Sequence, residues 1–299
     1  MTPPYEAINN NLSRCQADMY QLLYHILPQM SAGFKNPSHS LLGSFRVAGL
    51  YWHHIQQKGG LVMENKMIFK RYELKYLITR QQQEFLCRAM AAYMTADSFG
   101  HSSIRNLYYD TPNYRLIRES LDKPVYKEKL RVRSYGRAQQ EDNVFVELKK
   151  KYESVVYKRR IELPQEEALE ALLGRAPLPD SQIGREIGAA LEFYGELIPR
   201  VFLSYERDAY HALDSDFRLT FDESIRYRQE ELTLDSDPWG TPLLDRDTVL
   251  MELKVSDSIP LWMVRLLSQL GIQKTTFSKY GTAYQQILLG HQKGMLQYA

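Results

Sequence analysis

The chain has 299 residues, 44 % apolar and 25 % charged, values near the globular average that argue against extensive disorder. Its net charge of +2 conceals an even split, because residues 1–66 carry five Lys/Arg and three Asp/Glu, leaving 33 of each in residues 67–299. The main body is formally neutral, so any polyanion binding must come from local arrangement rather than overall basicity.

No run approaches the ~20 uninterrupted apolar residues of a membrane span. The most apolar N-terminal stretch, 19–30, is broken by Gln21, His25 and Pro28, and lacks the charged start and small-residue cleavage site of a signal peptide. Cys15 and Cys87 are too few for a disulfide framework or a zinc site, and a reducing, cytoplasmic setting is expected.

Residues 1–62 hold four of the seven histidines and no clear strand alternation. A helix-like piece over 18–27 gives way to Pro, Gly, Ser and Asn residues up to Leu42. Lys58-Gly59-Gly60 stands just before Met63, and codons for Lys-Gly-Gly can spell a purine-rich ribosome-binding sequence. Translation is therefore expected to begin at Met63 or Met67, the alternative being a short lineage-specific extension. On the first reading 1–62 is a non-native or disordered extension, and 63–299 is the functional domain.

From Met67 the pattern becomes regular. Strand-like segments fall at 67–78, 103–110, 124–135, 143–151, 155–163, 199–212, 217–226 and 248–255, several alternating with period two. Gly136-Arg137-Ala138 and Asp214-Ser215-Asp216 supply turns between neighbours, as in hairpins of an antiparallel sheet. Between the strands, Thr79 with Gln82 forms a capping box ahead of Phe85, Leu86, Met90 and Tyr93. Pro164 opens a helix that Gly174 closes, and Ser181 starts another with Ile183, Ile187, Leu191 and Tyr194 on one face. Ser258 caps a further helix with Pro260 in its first turn, and a last helix spans 279–289. The expected fold is α+β, a closed eight-stranded antiparallel β tunnel or barrel with flanking helices.

The most informative segment is Lys127-Glu128-Lys129-Leu130-Arg131-Val132-Arg133. Residues two apart on a strand share a face, so Lys127, Lys129, Arg131 and Arg133 form one cationic row with Leu130 and Val132 opposite. By the same parity Arg71, Glu73 and Lys75 share a face, as do Phe145, Glu147 and Lys149, Lys158 and Arg160, and Glu252 and Lys254. On one strand this is an ordinary solvated face. Across five strands, closing the sheet with apolar faces outward leaves a lumen lined by Lys and Arg that only a dense polyanion fills. Arg offers a bidentate fork to phosphate oxygens and Lys a point charge. The interspersed carboxylates suit a divalent metal that bridges phosphates, which is a phosphoryl-transfer arrangement. Asp97, Asp110, Asp222, Asp235 and Asp237 read as turn and cap residues, and His101, His211 and His291 as structural. No Walker A loop, GxGxxG or nucleophile elbow is present.

In order along the chain, Arg71-Tyr72-Glu73-Leu74-Lys75-Tyr76, Asn106-Leu107-Tyr108-Tyr109-Asp110-Thr111 and Lys129-Leu130-Arg131-Val132-Arg133-Ser134-Tyr135-Gly136 resemble the VTC domain. So do Phe145-Val146-Glu147-Leu148-Lys149, Tyr205-Glu206-Arg207, Arg218-Leu219-Thr220-Phe221-Asp222, Met251-Glu252-Leu253-Lys254 and Phe277-Ser278-Lys279-Tyr280. This is the polyphosphate-polymerase domain of the triphosphate tunnel metalloenzyme superfamily. The resemblance implies transfer of the γ-phosphoryl group of ATP to a growing polyphosphate chain, with Mn²⁺ or Mg²⁺. By matching position it implies phosphate ligands Lys75, Arg131, Arg133, Lys149, Lys158, Arg207, Arg218 and Lys279, and Glu252 as the metal carboxylate. Strand parity adds Lys129 and Arg160 to the substrate groups, and Glu73 and Glu147 to the metal candidates.

Two departures stand out. Arg71 replaces the first glutamate of the hydrolase branch, which favours a polymerase, and Thr275 and Thr276 stand where a second lysine is expected, leaving Lys274 as a substitute. Relatives in eukaryotes add a phosphate-sensing domain and membrane helices, so coupling to translocation is expected to need a membrane-protein partner in trans. A hydrolase of the same superfamily and a non-catalytic polyphosphate-binding module remain open. Tyr108, Tyr109, Tyr126 and Tyr135 beside strand cations are of the kind that stack nucleic-acid bases. An enclosed groove holding carboxylates suits phosphates better, and no nucleic-acid partner is expected.

Overall fold

Ten strands and six helices make up the computed structural model, which describes residues 72–152 and 155–297. The extension 1–62, the boundary at Met63 or Met67, and Arg71 lie outside the described residues. In chain order the elements are β1 (Tyr72–Thr79), α1 (Arg80–Met90), β2 (Met94–Asp110), α2 (Arg115–Leu121), β3 (Tyr126–Tyr135), β4 (Asn143–Tyr152) and β5 (Val155–Pro164). They continue as α3 (Gln165–Leu172), α4 (Gln182–Tyr194), β6 (Ile198–Ala212), β7 (Arg218–Arg228), β8 (Thr241–Pro242), β9 (Thr248–Val255), α5 (Leu261–Gln269), β10 (Lys274–Thr275) and α6 (Lys279–Gln297).

The helix signals act where expected. Thr79 accepts from the backbone N–H of Gln82 at 3.1 Å, and Gln82 Oε1 accepts from the Thr79 N–H at 2.8 Å. Thr79→Ala should therefore cost about 1 kcal/mol of stability, read as a lower urea midpoint at unchanged m-value. Ser181 caps α4 through the Gly184 N–H. Pro260 rather than Ser258 is the N-cap of α5. Helix α2 went unread because seven residues carry too little periodicity to show.

All strand pairs are antiparallel, in the order β10-β1-β9-β7-β6-β2-β3-β4-β5, with β8 added to β7. This corrects the closed eight-stranded barrel: among the described residues no ladder joins β5 to the far edge. The physical reason is β10, which pairs Thr275 with Lys75 and Lys274 with Tyr76, and so occupies the edge of β1 that closure would need. The sheet nevertheless curls until side chains meet across it, with Lys149 on β4 lying 3.6 Å from Glu73 on β1.

Two apolar clusters cover the convex face. Helices α1 and α5 pack Leu86, Met90, Met263 and Leu267 on Tyr76, Phe221, Met251 and Leu253. Helices α3 and α4 pack Ala168, Leu172 and Ile187 on Leu130, Val132, Val146 and Leu148. A third cluster fills part of the concave face, where Tyr280, Ala283, Tyr284 and Ile287 of α6 meet Tyr108, Val201, Leu203, Tyr205 and Leu250. The concave face is thus shared between an apolar helix seat and a charged region, a division the sequence pattern did not show.

Candidate functional site

The charged region divides into two linked clusters. In the first, the β3–β4–β5 register sets Arg131, Glu147 and Arg160 side by side. Arg131 donates to Glu147 Oε2 from Nε at 2.9 Å and Nη2 at 2.6 Å, and Arg160 donates to Oε1 at 2.8 and 2.6 Å. Lys158 Nζ lies 2.8 Å from Oε1, and Arg133 Nε 4.0 Å from Oε2. Glu147 is only 1 % exposed. Burial alone would raise its pKa, but Arg131, Arg133 and Lys158 outweigh it and hold the carboxyl well below the usual range.

The second cluster gathers β1, β6, β7, β9 and the first residue of α6. Asp222 accepts from Arg207 Nε and Nη2 at 2.5 and 2.6 Å, and Lys279 Nζ lies 2.5 Å from Asp222 and 3.2 Å from Glu252. Lys75 Nζ lies between Glu73 at 3.2 Å and Glu252 at 3.4 Å, and also donates to the Phe277 carbonyl. Burial raises Glu73, yet Lys149 draws it down against Glu252, leaving it at about 2.

Two tyrosines join the clusters. Arg131 Nη1 donates to the Tyr108 hydroxyl at 3.0 Å and Arg133 Nη2 to that of Tyr205 at 3.1 Å. The Tyr108 ring stacks on Tyr280, whose hydroxyl donates to the buried Asp110. Asp110 also accepts from the Leu116 and Ile117 N–H groups at the start of α2, the capping role read for it.

The structure therefore brings together Lys75, Lys129, Arg131, Arg133, Lys149, Lys158, Arg160, Arg207 and Lys279 with Glu73, Glu147 and Glu252. Arg218 stands apart. It pairs with Lys254 across β7 and β9, is exposed, and forms no ion pair among the described residues. Lys274 shares its face with Tyr76 on the convex side, away from Lys75, so it does not stand in for the missing lysine. Asp222 corrects the turn reading, since it is fully buried within the second cluster. Its phase with Arg218 and Thr220 along β7 was the available signal. His101 lies 2.8 Å from Asp208 and 3.2 Å from Glu206 at the sheet's exposed side.

Lys129 has cations for company and no carboxylate within ion-pair distance among the described residues. Its Nζ donates to Ser278 Oγ at 3.1 Å. Burial, then Lys149, Lys127, Lys75 and Arg131, push its pKa down to about 7. Between that value and the ordinary 10.5 the unfolded chain binds the proton that the folded chain lacks, so this group adds stability as pH rises through the window. A bound polyanion restores the charge. Inorganic tripolyphosphate binding is expected to take up a proton above pH 7 and to weaken from pH 7 to 9, as calorimetry in buffers of different ionisation enthalpy would show.

No described group of three His, Cys, Asp or Glu side chains converges on a metal position. A divalent ion that arrives with phosphates needs only one or two protein carboxylates. Glu252 and Glu73 flank one point, held here by the Lys75 ammonium, and fit that requirement. Thr220 Oγ1, cross-strand from Glu252, is buried without a hydrogen-bond partner among the described residues. Glu147 fits less well, because its oxygens are occupied by three cations.

No curated protein sequence matches this chain. The structure is similar to a putative adenylate cyclase from Bacillus halodurans, with 15 % identity, 70 % of this chain and 95 % of that chain covered, and a TM-score of 0.45. It is also similar to a putative adenylate cyclase from Vibrio parahaemolyticus, with 13 % identity, coverage of 72 % and 97 %, and a TM-score of 0.38. A third similar structure is the PH1819 protein of Pyrococcus horikoshii, with 11 % identity, coverage of 72 % and 99 %, and a TM-score of 0.37. The VTC domain matches over residues 70–288, most of the described chain and every residue of both clusters, and the protein belongs to the VTC domain family.

Proposed function

We propose that this protein is a metal-dependent polyphosphate polymerase that transfers the γ-phosphoryl group of ATP to a growing polyphosphate chain on the concave face. The supporting observation is the charge imbalance around Lys129. Four further cations press on it, and while Glu73, Glu252 and Glu147 pair with Lys75, Lys149 and Arg131, no carboxylate lies within ion-pair distance of Lys129 itself among the described residues. A row of phosphates supplies the missing counter-charge.

Arg131, Arg133, Lys149 and Arg207 would hold the transferring phosphoryl group, while Lys75, Lys129, Lys158, Arg160 and Lys279 hold the flanking phosphates. Glu252 and Glu73 would hold Mn²⁺ or Mg²⁺, which would supply neutralisation of the phosphate charge. A terminal oxygen of the acceptor phosphate forms the new P–O bond in line as the β–γ bond of ATP breaks, and ADP leaves. The acceptor oxygen is already anionic, so no protein base is required. Positioning and charge neutralisation are what the side chains contribute.

No helix among the described residues is long and apolar enough to cross a membrane. A membrane-protein partner in trans would couple synthesis to translocation, and a cytoplasmic setting suits the ATP donor. The test is incubation of the full chain with ATP and Mn²⁺, followed by a urea gel. Ladders of long polyphosphate are expected. Orthophosphate alone would make the protein a hydrolase, and binding without turnover would make it a polyphosphate-binding module.

A further inference from the structure

The β3–β4–β5 wall has two chemically different ends. At the end towards the start of β3, Lys127 stands directly opposite Lys151, and one rung further in Lys129, Lys149 and Lys158 stand side by side. Like charges directly opposite each other destabilise a sheet, yet five occur here in two rungs. Among the described residues Lys127, Lys129 and Lys151 have no carboxylate within ion-pair distance. Lys127 Nζ instead donates to the Ser120 carbonyl at 2.9 Å. The nearby Glu128 gives no relief, because it faces the convex side, 3.8 Å from Lys150. Burial, then Lys151, Lys123 and Lys149, depress the Lys127 ammonium.

The other end of the same wall is aromatic. Tyr135 closes β3, is 49 % exposed as a residue, and meets Phe145 edge-on at 5.7 Å. Arg160 lies 4.1 Å over the Phe145 ring and donates to the Tyr135 hydroxyl at 3.2 Å. A half-exposed tyrosine beside a guanidinium is a stacking platform for a planar base. It offers little to a bare phosphate chain.

Between the two ends lie Arg131, Arg133 and Glu147. Successive rungs on one face are about 6.7 Å apart, so the lysine end extends well beyond the reach of a single phosphate.

We propose that these ends fix the direction of the substrates: the nucleoside of the donor stacks on Tyr135 beside Arg160, and the polyphosphate chain leaves past Lys129, Lys149, Lys127 and Lys151. The inference rests on the site binding triphosphates, as proposed above. It adds a nucleobase subsite at one end and a chain-holding subsite at the other. Inorganic triphosphate uses the middle of the wall as far as Lys129 and Lys149, and reaches neither Tyr135 nor the outer pair Lys127 and Lys151.

The test measures binding of three probes to the full chain by calorimetry: a non-hydrolysable ATP analogue, inorganic tripolyphosphate and a long polyphosphate. Tyr135→Ala, with Tyr135→Leu as a second variant should the first fail to fold, is expected to weaken the ATP analogue about tenfold relative to tripolyphosphate. The double variant Lys127→Gln with Lys151→Gln is expected to weaken long polyphosphate roughly tenfold relative to tripolyphosphate, with the ATP analogue following tripolyphosphate. Equal losses for all probes, a reversed pattern, or unchanged ratios in folded variants would overturn the orientation. If the unmodified protein binds none of the three, the triphosphate reading itself fails. If it binds all three and the ratios do not diverge, only the orientation fails.

Discussion

Glu147→Gln should destabilise the fold by about 3 kcal/mol, near the lower end of the cost of breaking a buried ion pair. The carboxylate is the common counter-charge of Arg131, Lys158 and Arg160, and lies 4.0 Å from Arg133. Glutamine keeps the shape and removes the charge, leaving these cations to repel one another. The low end applies because the side chains of Lys158 and Arg160 are 46 % and 33 % exposed and can turn towards water. Denaturation in urea measures the loss. Glu119→Gln is the comparison: its pair with Arg115 is an exposed i, i+4 contact at 2.8 Å, and about 0.5 kcal/mol is expected. The variant also has a second signature. Removing the internal carboxylate leaves a stronger anion site, so tripolyphosphate should raise the melting temperature of Glu147→Gln by more than it raises that of the unmodified protein. An equal rise in both would mean that these cations do not face the anion.

Strand parity could locate most of this site because both of its clusters are built on strands, where alternate residues share a face whatever the curvature. Lys75, Arg131, Lys149, Lys158 and Glu252 follow directly from that rule. Asp222 obeys it too, in phase with Arg218 and Thr220, but an aspartate followed by Glu223 and Ser224 reads equally well as a turn or cap. The bonds of Tyr108 and Tyr205 to Arg131 and Arg133 were hidden for a different reason. A phenol that accepts from an arginine looks, in sequence, like any aromatic residue of a core strand. Closure was illegible because it depends on β10, two residues that mean nothing until they are seen opposite Lys75 and Tyr76. Nor did periodicity show that α6 enters the concave face. Tyr280, Tyr284 and Ile287 form an apolar stripe that suits either face of the sheet, and it takes the positions of Lys279, 2.5 Å from Asp222, and of Tyr280, stacked on Tyr108, to tie that helix to the site.

Arg131→Ala should lower ATP turnover by about 10²–10³, with most of the loss in kcat rather than KM. Arg131 sits between Glu147 and Tyr108, so its guanidinium is aimed before any substrate arrives. A donor held in that way costs little reorganisation when charge builds on the transferring phosphoryl group, and stabilisation confined to the transition state appears in kcat. The Lys substitution keeps the charge but loses the fork, and a partial recovery is expected from Arg131→Lys. Arg218→Ala provides the contrast. Arg218 is exposed at the start of β7 and forms no ion pair among the described residues, so the loss there should stay within about tenfold. Steady-state kinetics on the three variants, each first shown to melt cooperatively, measure both expectations. Wild-type turnover in Arg131→Ala would remove this arginine from the mechanism. Equal losses in Arg131→Ala and Arg218→Ala would mean that the pre-aimed contacts to Glu147 and Tyr108 carry no catalytic advantage.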